Sequence, residues 1–268
     1  MDDIMHPVKR VAIARLFSIS VPRVVALAAM ILVFTGGCHG NDAGDQDMAR
    51  AFRARGSSLL QMNDTTGAGR YLSKAEDLYP DSADTQILIG EVLRREGNLD
   101  LAEVRYKKAL ALEPGSAEAQ LNLGVLYGMR GRMNEALREF QAAAENEQFS
   151  HRDLAYDNIG QIYLDRHNLE MAEEAFRSAV RLNDRWAGSQ VNLGRVLYKK
   201  GEIFDAANYF VRAVDLDPNS TEARYRLALA YIRLGQKADA IAELRNVIRM
   251  APKGAHANDA REQLALLE

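Results

Sequence analysis

Apolar residues recur with helical spacing along most of this chain, and the helical runs come in pairs. In residues 187–220 the apolar positions from Val191 to Leu197 keep a period of about 3.6 residues, and the run stops at Gly201. A second apolar run follows and ends before Pro218. Because Gly and Pro both terminate helices, this stretch predicts two short antiparallel helices. Neither helix can bury its apolar face alone, so the pair needs neighbours.

The same pattern returns about every 34 residues. Each copy has a small residue in the first helix, a small residue in the second helix, and a large residue four positions later. In five consecutive copies these are Gly90, Gly124, Gly160, Gly194 and Ala228; Ala102, Ala136, Ala172, Ala206 and Ala240; and Tyr106, Phe140, Phe176, Phe210 and Leu244. A glycine inside a helix costs roughly 1 kcal/mol relative to alanine, so four in one register need a packing reason. We expect the small residues of the two helices to meet, and the large residue to fill the space toward the next pair.

This register of small, aromatic and proline positions resembles the tetratricopeptide repeat. The resemblance implies an all-α fold, an α-solenoid of six helix hairpins followed by a capping helix at residues 255–268. The first copy matches less well because Arg55 occupies a position that is apolar in the others, as is common in terminal repeats. The predicted repeat boundaries are 49–82, 83–116, 117–152, 153–186, 187–220 and 221–254.

The first 38 residues differ from the repeats. Four basic residues precede residues 24–35, which carry no charge, and Gly36, Gly37 and Cys38 follow. A positive segment, a short apolar segment and small residues before a cleavage site are typical of an export signal. About fourteen apolar residues span roughly 21 Å as a helix, less than the ~30 Å hydrocarbon core of a bilayer. We therefore predict a signal peptide at residues 1–37 rather than a membrane-spanning helix.

Cys38 is the only cysteine, so the chain has no internal disulfide. Its context, Phe-Thr-Gly-Gly-Cys, resembles a bacterial lipobox, although Thr35 stands where leucine is usual. The resemblance implies that Cys38 is acylated after cleavage and that the protein is sorted to the outer membrane, because His39 rather than aspartate follows. The alternative is a small apolar residue near an ordinary cleavage site. Residues 38–48 predict a flexible tether.

The charge balance argues against a nucleic-acid partner. The net charge is −3, and removal of residues 1–37 takes away four basic and two acidic residues, which moves it to −5 with histidine neutral. Proteins that bind nucleic acid carry a basic face, which this composition does not predict. The same balance argues against electrostatic docking on anionic lipid, so the predicted attachment to a membrane is through the lipid anchor on Cys38.

No arrangement of residues in the sequence predicts catalysis. The histidines are scattered, and no HExxH, GxSxG or glycine-rich phosphate loop occurs. We therefore predict no enzymatic activity, cofactor, metal or small-molecule substrate. His167 stands where most copies have a glycine between the paired helices, so we interpret it as a turn residue. Asn122, Asn158 and Asn192 recur in phase and Trp186 closes a repeat; we interpret these as structural, with ligand contact as the alternative.

The repeat resemblance also implies where a partner binds, because the first helices of such hairpins line a concave groove. The fifth, ninth and twelfth positions of each copy point into it, and apolar residues there suit an amphipathic helix or strand of a partner protein. Repeats that bind the C-terminal carboxylate of a chaperone need Lys and Asn at the first two of these positions, which this chain lacks. The predicted groove residues are Ile87, Leu121, Val125, Met129, Leu164, Val191, Tyr198, Tyr225, Leu229 and Ile232.

A lipobox, a short tether and six such repeats resemble the type IV pilus pilotins, the PilF/PilW-like lipoproteins. An insertion of two residues near 148–151, and the sequence DNIGQIYL after it, fit that layout. The resemblance implies a non-catalytic escort at the periplasmic face of the outer membrane, which binds secretin subunits and promotes their assembly. Two alternatives stay open: a lipoprotein that scaffolds peptidoglycan or polysaccharide-export machinery, and an accessory subunit of an enzyme whose catalytic chain is separate.

Overall fold

Thirteen α-helices and no strand make up residues 42–268, the part of the chain that the computed structural model describes. This confirms the all-α prediction. Residues Asp47–Glu268 form one unit by themselves. The helices are α1 (Asp42–Gln61), α2 (Thr65–Leu78), α3 (Ala83–Arg95), α4 (Leu99–Leu112), α5 (Ala117–Met129), α6 (Met133–Glu145), α7 (Arg152–Asp165), α8 (Leu169–Leu182), α9 (Ala187–Lys200), α10 (Ile203–Leu216), α11 (Thr221–Arg233), α12 (Lys237–Met250) and α13 (Ala257–Leu267).

The helices pack in chain order. From α3 onward, each odd-numbered helix packs along the even-numbered helix that follows it, and each even-numbered helix packs against the next odd-numbered one. First helices of successive pairs also touch, α3 with α5, α7 with α9 and α9 with α11. These contacts are those of stacked helix hairpins, so the predicted tetratricopeptide solenoid is confirmed. The last helix, α13, packs on α12 as a cap.

In four hairpins the first helix has a glycine at the same position, and an aromatic ring of the second helix explains why. A Cβ added at any of these four glycines would lie 2.6 or 2.7 Å from a ring atom of the same hairpin. The ring therefore occupies the space above its own glycine, which corrects the expectation that it fills the space toward the next pair. In the last copy Ala228 and Leu244 replace glycine and ring, and both are fully buried. The four pairs are Gly90 with Tyr106, Gly124 with Phe140, Gly160 with Phe176 and Gly194 with Phe210.

The turn inside each hairpin contains one residue in the left-handed region. Four of these residues are glycines, which adopt a positive φ without a Cβ clash. His167 has the same conformation, with φ +59°, and this confirms its interpretation as a turn residue. The six residues are Asn63, Gly97, Gly131, His167, Gly201 and Gly235.

A serine precedes the first helix at three of the five repeat junctions, and His151 and Trp186 stand at the other two. Ser82, Ser116 and Ser220 each accept a hydrogen bond from the backbone N–H three residues on, which satisfies one of the free donors at a helix start. Trp186 stands at the same position before α9 and makes no such bond. Its surface is 51% exposed, and the indole lies beside Gly188 of α9, where an added Cβ would lie 2.7 Å from the indole nitrogen.

The junction between α6 and α7 contains the predicted insertion. Residues 146–151 join these helices, whereas the junctions at 79–82, 113–116, 183–186 and 217–220 have two residues fewer. Phe149, in the longer junction, packs against the buried core of the neighbouring hairpins. The insertion is therefore anchored by an apolar contact.

The structure tests the predictions about the N-terminal segment only from residue 42 onward. Residues 42–47 belong to α1, so the prediction of a flexible tether is wrong for them. Aspartates at a helix start are favoured by the helix dipole, and Asp47 pairs with Arg50 one turn on. The signal peptide and Cys38 lie outside the described residues and stay predictions. In residues 42–268, every helix is either too short or too polar to cross a bilayer.

Candidate protein-binding face

The predicted partner-binding residues belong to α3, α5, α7, α9 and α11, and we call the exposed sides of these helices the first-helix face. Side chains on this face reach from one first helix to another. Arg94 Nη1 lies 3.8 Å from Met129 Sδ, which joins α3 to α5. Asn192 Nδ2 donates to Asp157, which joins α7 to α9, and the guanidinium of Arg233 lies 5.7 Å from the centre of the Tyr198 ring, which joins α9 to α11.

Three of the predicted groove residues do not face outward. Ile87, Leu164 and Val191 are 2%, 4% and 6% exposed and belong to the apolar core. They are buried because adjacent hairpins pack against one another at these positions. The prediction that they line an open groove is wrong, since a buried side chain has no surface to offer a partner.

The other seven predicted residues keep part of their surface. Leu121 and Val125 are half-buried and Met129 is 54% exposed, and together they form what we call the α5 patch. Contiguous apolar surface of this kind is typical of a protein interaction site. The remaining four, all half-buried and all on α9 or α11, are Tyr198, Tyr225, Leu229 and Ile232.

Polar side chains border both of these apolar regions. Beside the α5 patch, the guanidinium of Arg94 is held by both carboxylate oxygens of Glu91, at 2.8 and 2.7 Å. Near the C-terminal end, the ring of Tyr225 stacks on His256 with centroids 5.1 Å apart. Both contacts restrict the rotamers of side chains on the first-helix face, so this surface is preorganised before any partner arrives.

A polar belt of Asp157, Gln161, Asn192 and Arg195 occupies α7 and α9. The carboxylate of Asp157 accepts hydrogen bonds from Ser189 Oγ at 3.0 Å and from Asn192 Nδ2 at 3.1 Å. Burial raises the pKa of the Asp157 carboxyl, and these two hydrogen bonds oppose the shift. Arg195 Nη1 in turn donates to Asn192 Oδ1 at 2.9 Å. The belt is therefore a connected hydrogen-bond network on a face predicted to be apolar.

The recurring asparagines divide into two kinds. Asn122 and Asn158 donate to the carbonyl oxygens of Glu118 and Leu154, four residues earlier in their own helices, at 2.9 and 2.7 Å. These two contacts agree with the structural interpretation. Asn192 instead reaches across to α7 and also accepts from Arg195, so it positions charged groups on the first-helix face.

Three members of the polar belt stand at positions that the repeat resemblance places in the groove: Asp157 at the fifth position of its copy, and Gln161 and Arg195 at the ninth position of theirs. The sequence therefore placed these residues on the face, but it did not predict the hydrogen bonds that join them. Among residues 42–268, no three His, Cys, Asp or Glu side chains cluster as metal ligands. The first-helix face thus presents apolar patches and a polar belt to solvent.

Models of the tetratricopeptide repeat match residues 53–106, 93–156, 154–185 and 191–255. Together these matches span well over half of the sequence, and the helix hairpins described above have the packing of that repeat. The chain belongs to the tetratricopeptide repeat family.

Within that family the chain is similar to the type IV pilus assembly protein PilF of Pseudomonas aeruginosa. The two are 28% identical over 169 residues, which cover 63% of this chain and 67% of PilF. The chain is also 25% identical over 220 residues to cellulose synthase operon protein C of Pseudomonas fluorescens. That match covers 78% of this chain but 17% of the longer protein, so it concerns a small part of it.

Solved structures have the same fold. The structure of Pseudomonas aeruginosa PilF superposes with a TM-score of 0.76 at 22% identity, over 82% of this chain and 99% of PilF. The structure of PilW, described as a widely conserved type IV pilus biogenesis factor, superposes with a TM-score of 0.70 at 17% identity, over 79% of this chain and 97% of PilW. At these identities, the structural likeness shows the fold alone.

Proposed function

We propose that this protein is a lipid-anchored scaffold of type IV pilus biogenesis, which binds secretin subunits at the periplasmic face of the outer membrane and promotes their assembly. The observation that carries the proposal is the similarity to PilF, which extends over 63% of the chain. The lipobox at Cys38 and the α5 patch support the anchor and the binding surface respectively. Binding and localisation, rather than a chemical reaction, constitute the activity.

The anchor gives this binding its effect. Each buried methylene of an acyl chain contributes about 0.8 kcal/mol to membrane attachment, so two or three chains on Cys38 hold the protein stably where one would not. A partner bound on the first-helix face is then confined near the membrane surface. Confinement of this kind raises the effective concentration of the captured subunits and favours their association without any new contact between them.

The α5 patch is the part of the first-helix face that best suits an apolar partner segment. Met129 is exposed at its edge, while Leu121 and Val125 lie in contact with the core beneath. A partner helix that places apolar side chains over this patch buries them at roughly 25 cal/mol per Å². On this proposal, the α5 patch covers such a segment of a secretin subunit until the subunit assembles.

Affinity purification from detergent-solubilised outer membranes tests the proposal. The full chain, tagged at its C-terminus, is expected to recover the secretin of the same cell. Recovery of other envelope proteins without secretin, from cells in which secretin is abundant, contradicts the proposed function.

Substitution of the cysteine tests the anchor separately. Cys38→Ala is expected to leave the repeats folded and to move the protein out of the outer-membrane fraction, because no acyl chain is then attached. Unchanged fractionation of this variant would refute acylation. Ser57→Ala, in α1, serves as the matched control and is expected to fractionate as the unaltered protein does.

A second candidate function has one observation in its favour. The similarity to cellulose synthase operon protein C covers 78% of this chain and fits a scaffold for polysaccharide-export machinery. The same purification separates the two candidates. Recovery of polysaccharide synthase components in place of secretin would favour this second role.

A further inference from the structure

A cleft with a cationic lining opens between α9 and α11 on the first-helix face. It has a volume of about 500 Å³, and we call it the Arg195 cleft. Three of the six residues around it carry a positive charge, although the chain as a whole has a net charge of −3. The lining residues are Arg195, Tyr198, Lys199, Phe210, Arg226 and Leu229.

Arg195 has neutral partners in this cleft. Its Nη1 donates to the amide oxygens of Asn192 at 2.9 Å and Gln161 at 3.4 Å, and within residues 42–268 it forms no ion pair. Burial lowers the pKa of Arg195 and the neighbouring guanidinium of Arg226 lowers it further, while the carboxylates of Glu222, Asp165 and Asp157 oppose these shifts only in part. A half-buried cation beside a second cation is an unfavourable arrangement in the free protein, and a carboxylate would relieve it.

Another half-buried arginine of the first-helix face shows what Arg195 lacks. Arg94 donates hydrogen bonds to both carboxylate oxygens of Glu91. Burial alone would lower the pKa of Arg94, but these hydrogen bonds and the charge of Glu91 outweigh it and raise the pKa. The two guanidinium groups thus differ in whether a carboxylate within the chain satisfies them. Arg195 is the one that has no carboxylate in hydrogen-bond contact within residues 42–268.

The carboxylates near the cleft are engaged elsewhere. Glu222 accepts from Arg226 Nε at 3.0 Å, and Asp165 accepts from Gln161 Nε2 at 2.6 Å. Asp157 accepts from Ser189 and Asn192. Asp165 and Asp157 orient the amides that hold Arg195, and Glu222 holds Arg226. The remaining N–H donors of Arg195 stay available, since a guanidinium carries five.

We propose that the Arg195 cleft receives the carboxylate side chain of an Asp or Glu in an extended segment of the partner polypeptide. The guanidinium of Arg195 would bind both oxygens of that carboxylate, and Arg226 and Lys199 add attraction from the sides. An apolar side chain next to the acidic residue would contact Tyr198 and Leu229, the apolar lining of the same cleft.

The surroundings favour a side chain over a chain end. A second cleft of about 910 Å³ lies along α9 between Asn192 and Trp186, and the guanidinium of Arg233 lies over the Tyr198 ring at the other end of the helix. A segment that places its acidic residue at Arg195 therefore has open surface along which the chain continues. The inference rests on the proposed function only in requiring that a partner polypeptide binds the first-helix face.

Selection from a library of random dodecapeptides, displayed on phage with no free C-terminus, tests this inference. With the full chain in detergent as bait, the recovered peptides are expected to contain an Asp or Glu beside Leu, Ile, Phe or Met. With Arg195→Gln as bait, that acidic residue is no longer enriched. Recovered peptides without acidic residues, identical acidic enrichment with Arg195→Gln, or no enrichment at all would overturn the inference.

Calorimetry on the most enriched peptide gives the size of the effect. We expect Arg195→Gln to raise the Kd about tenfold or more, because a hydrogen bond between charged groups is lost. Replacing the acidic residue of the peptide by its amide is expected to raise the Kd by a similar factor. The matched control Arg212→Gln, an exposed arginine on α10 outside the cleft, is expected to leave the Kd within twofold. An equal loss for both variants would contradict the assignment of the site to Arg195.

Failure of this inference is distinguishable from failure of the proposed function. If the full chain recovers secretin while the peptides show no acidic preference, the proposed function stands and the Arg195 cleft has no such role. If acidic peptides bind through Arg195 while secretin is not recovered, the cleft serves a different partner and the pilus role fails.

Discussion

The α5 patch and the Arg195 cleft lie over the same buried packing of glycine against ring, but the α5 patch is apolar and the Arg195 cleft is cationic. In both hairpins a glycine lies under an aromatic ring, Gly124 under Phe140 and Gly194 under Phe210. The residue directly after the glycine is Val125 in one and Arg195 in the other. The difference teaches that the repeat fixes its glycine and leaves the next position free, and that this free position decides what the face recognises. Along the array that position holds Glu91, Val125, Gln161, Arg195 and Leu229.

The largest effect is expected from disrupting the packing of glycine against ring, which recurs in the hairpin between the two surfaces. Gly160→Leu places a branched side chain where a Cβ alone would lie 2.7 Å from the Phe176 ring. Overpacking of this kind costs about 3 kcal/mol, so the urea midpoint of unfolding, followed by circular dichroism, is expected to fall clearly. Gly128→Leu is the control, because nothing lies within 4 Å of a Cβ there. Equal midpoints for the two variants would mean that the glycine register has no packing role.

The α5 patch itself is tested by acidic substitution. Leu121→Asp with Val125→Asp, and separately the exposed Met129→Asp, are expected to reduce secretin recovery about tenfold, because each places a charge against an apolar partner surface. Helical content by circular dichroism should hold for Met129→Asp. The control pair Leu101→Asp and Val104→Asp lies on α4, where these side chains are 57% and 61% exposed. Loss of secretin from the control pair as well would place the site elsewhere.

Salt separates the two surfaces without any mutation. Raising NaCl from 50 to 500 mM is expected to weaken binding of an acidic peptide at the Arg195 cleft several-fold, since partly exposed charges are screened. Binding of an apolar helical peptide at the α5 patch is expected to hold or strengthen. Isothermal titration at both salt concentrations measures the two responses. The same change in affinity with salt at both sites would show that charge does not distinguish the Arg195 cleft from the α5 patch.

The smallest effect concerns Trp186, where the C-terminal region departs from the repeat. Trp186→Ser restores the hydroxyl that caps α3, α5 and α11 at the same position, and is expected to raise the free energy of unfolding by about 0.5–1 kcal/mol. Urea denaturation measures the change. A destabilised variant would show that the indole contributes more by packing than a cap does by hydrogen bonding. Arg185→Ser, at an exposed position in the same junction and away from the cap position, is the comparison variant.

Much of the fold could be predicted from the sequence because buried positions repeat with little choice. Glycine at 90, 124, 160 and 194 predicted a close contact, although the contacting group is the ring of the same hairpin rather than the small residue. His167 departs from the repeat pattern, and it too was predicted correctly, because it replaces a turn glycine and has a positive φ. At each of these positions a close contact or a positive φ restricts which residue types fit, so the residue type indicates the local structure.

The binding face was harder to predict because exposure depends on how hairpins stack. Leu164 and Ile232 both stand at the twelfth position of their copies, but Leu164 is buried and Ile232 keeps part of its surface. The network of Asp157, Asn192 and Arg195 joins two helices more than 30 residues apart in sequence, so its hydrogen bonds appear only once α7 and α9 are placed side by side.

Site-specific photo-crosslinking in cells that assemble type IV pili tests the central claim most directly. With p-benzoylphenylalanine in place of Met129 on the first-helix face, irradiation is expected to link the protein to secretin. With the same group in place of Val104 on α4, no such product is expected. A secretin product from position 104 alone, or none from position 129 while secretin is present, would contradict the claim that the first-helix face holds the partner.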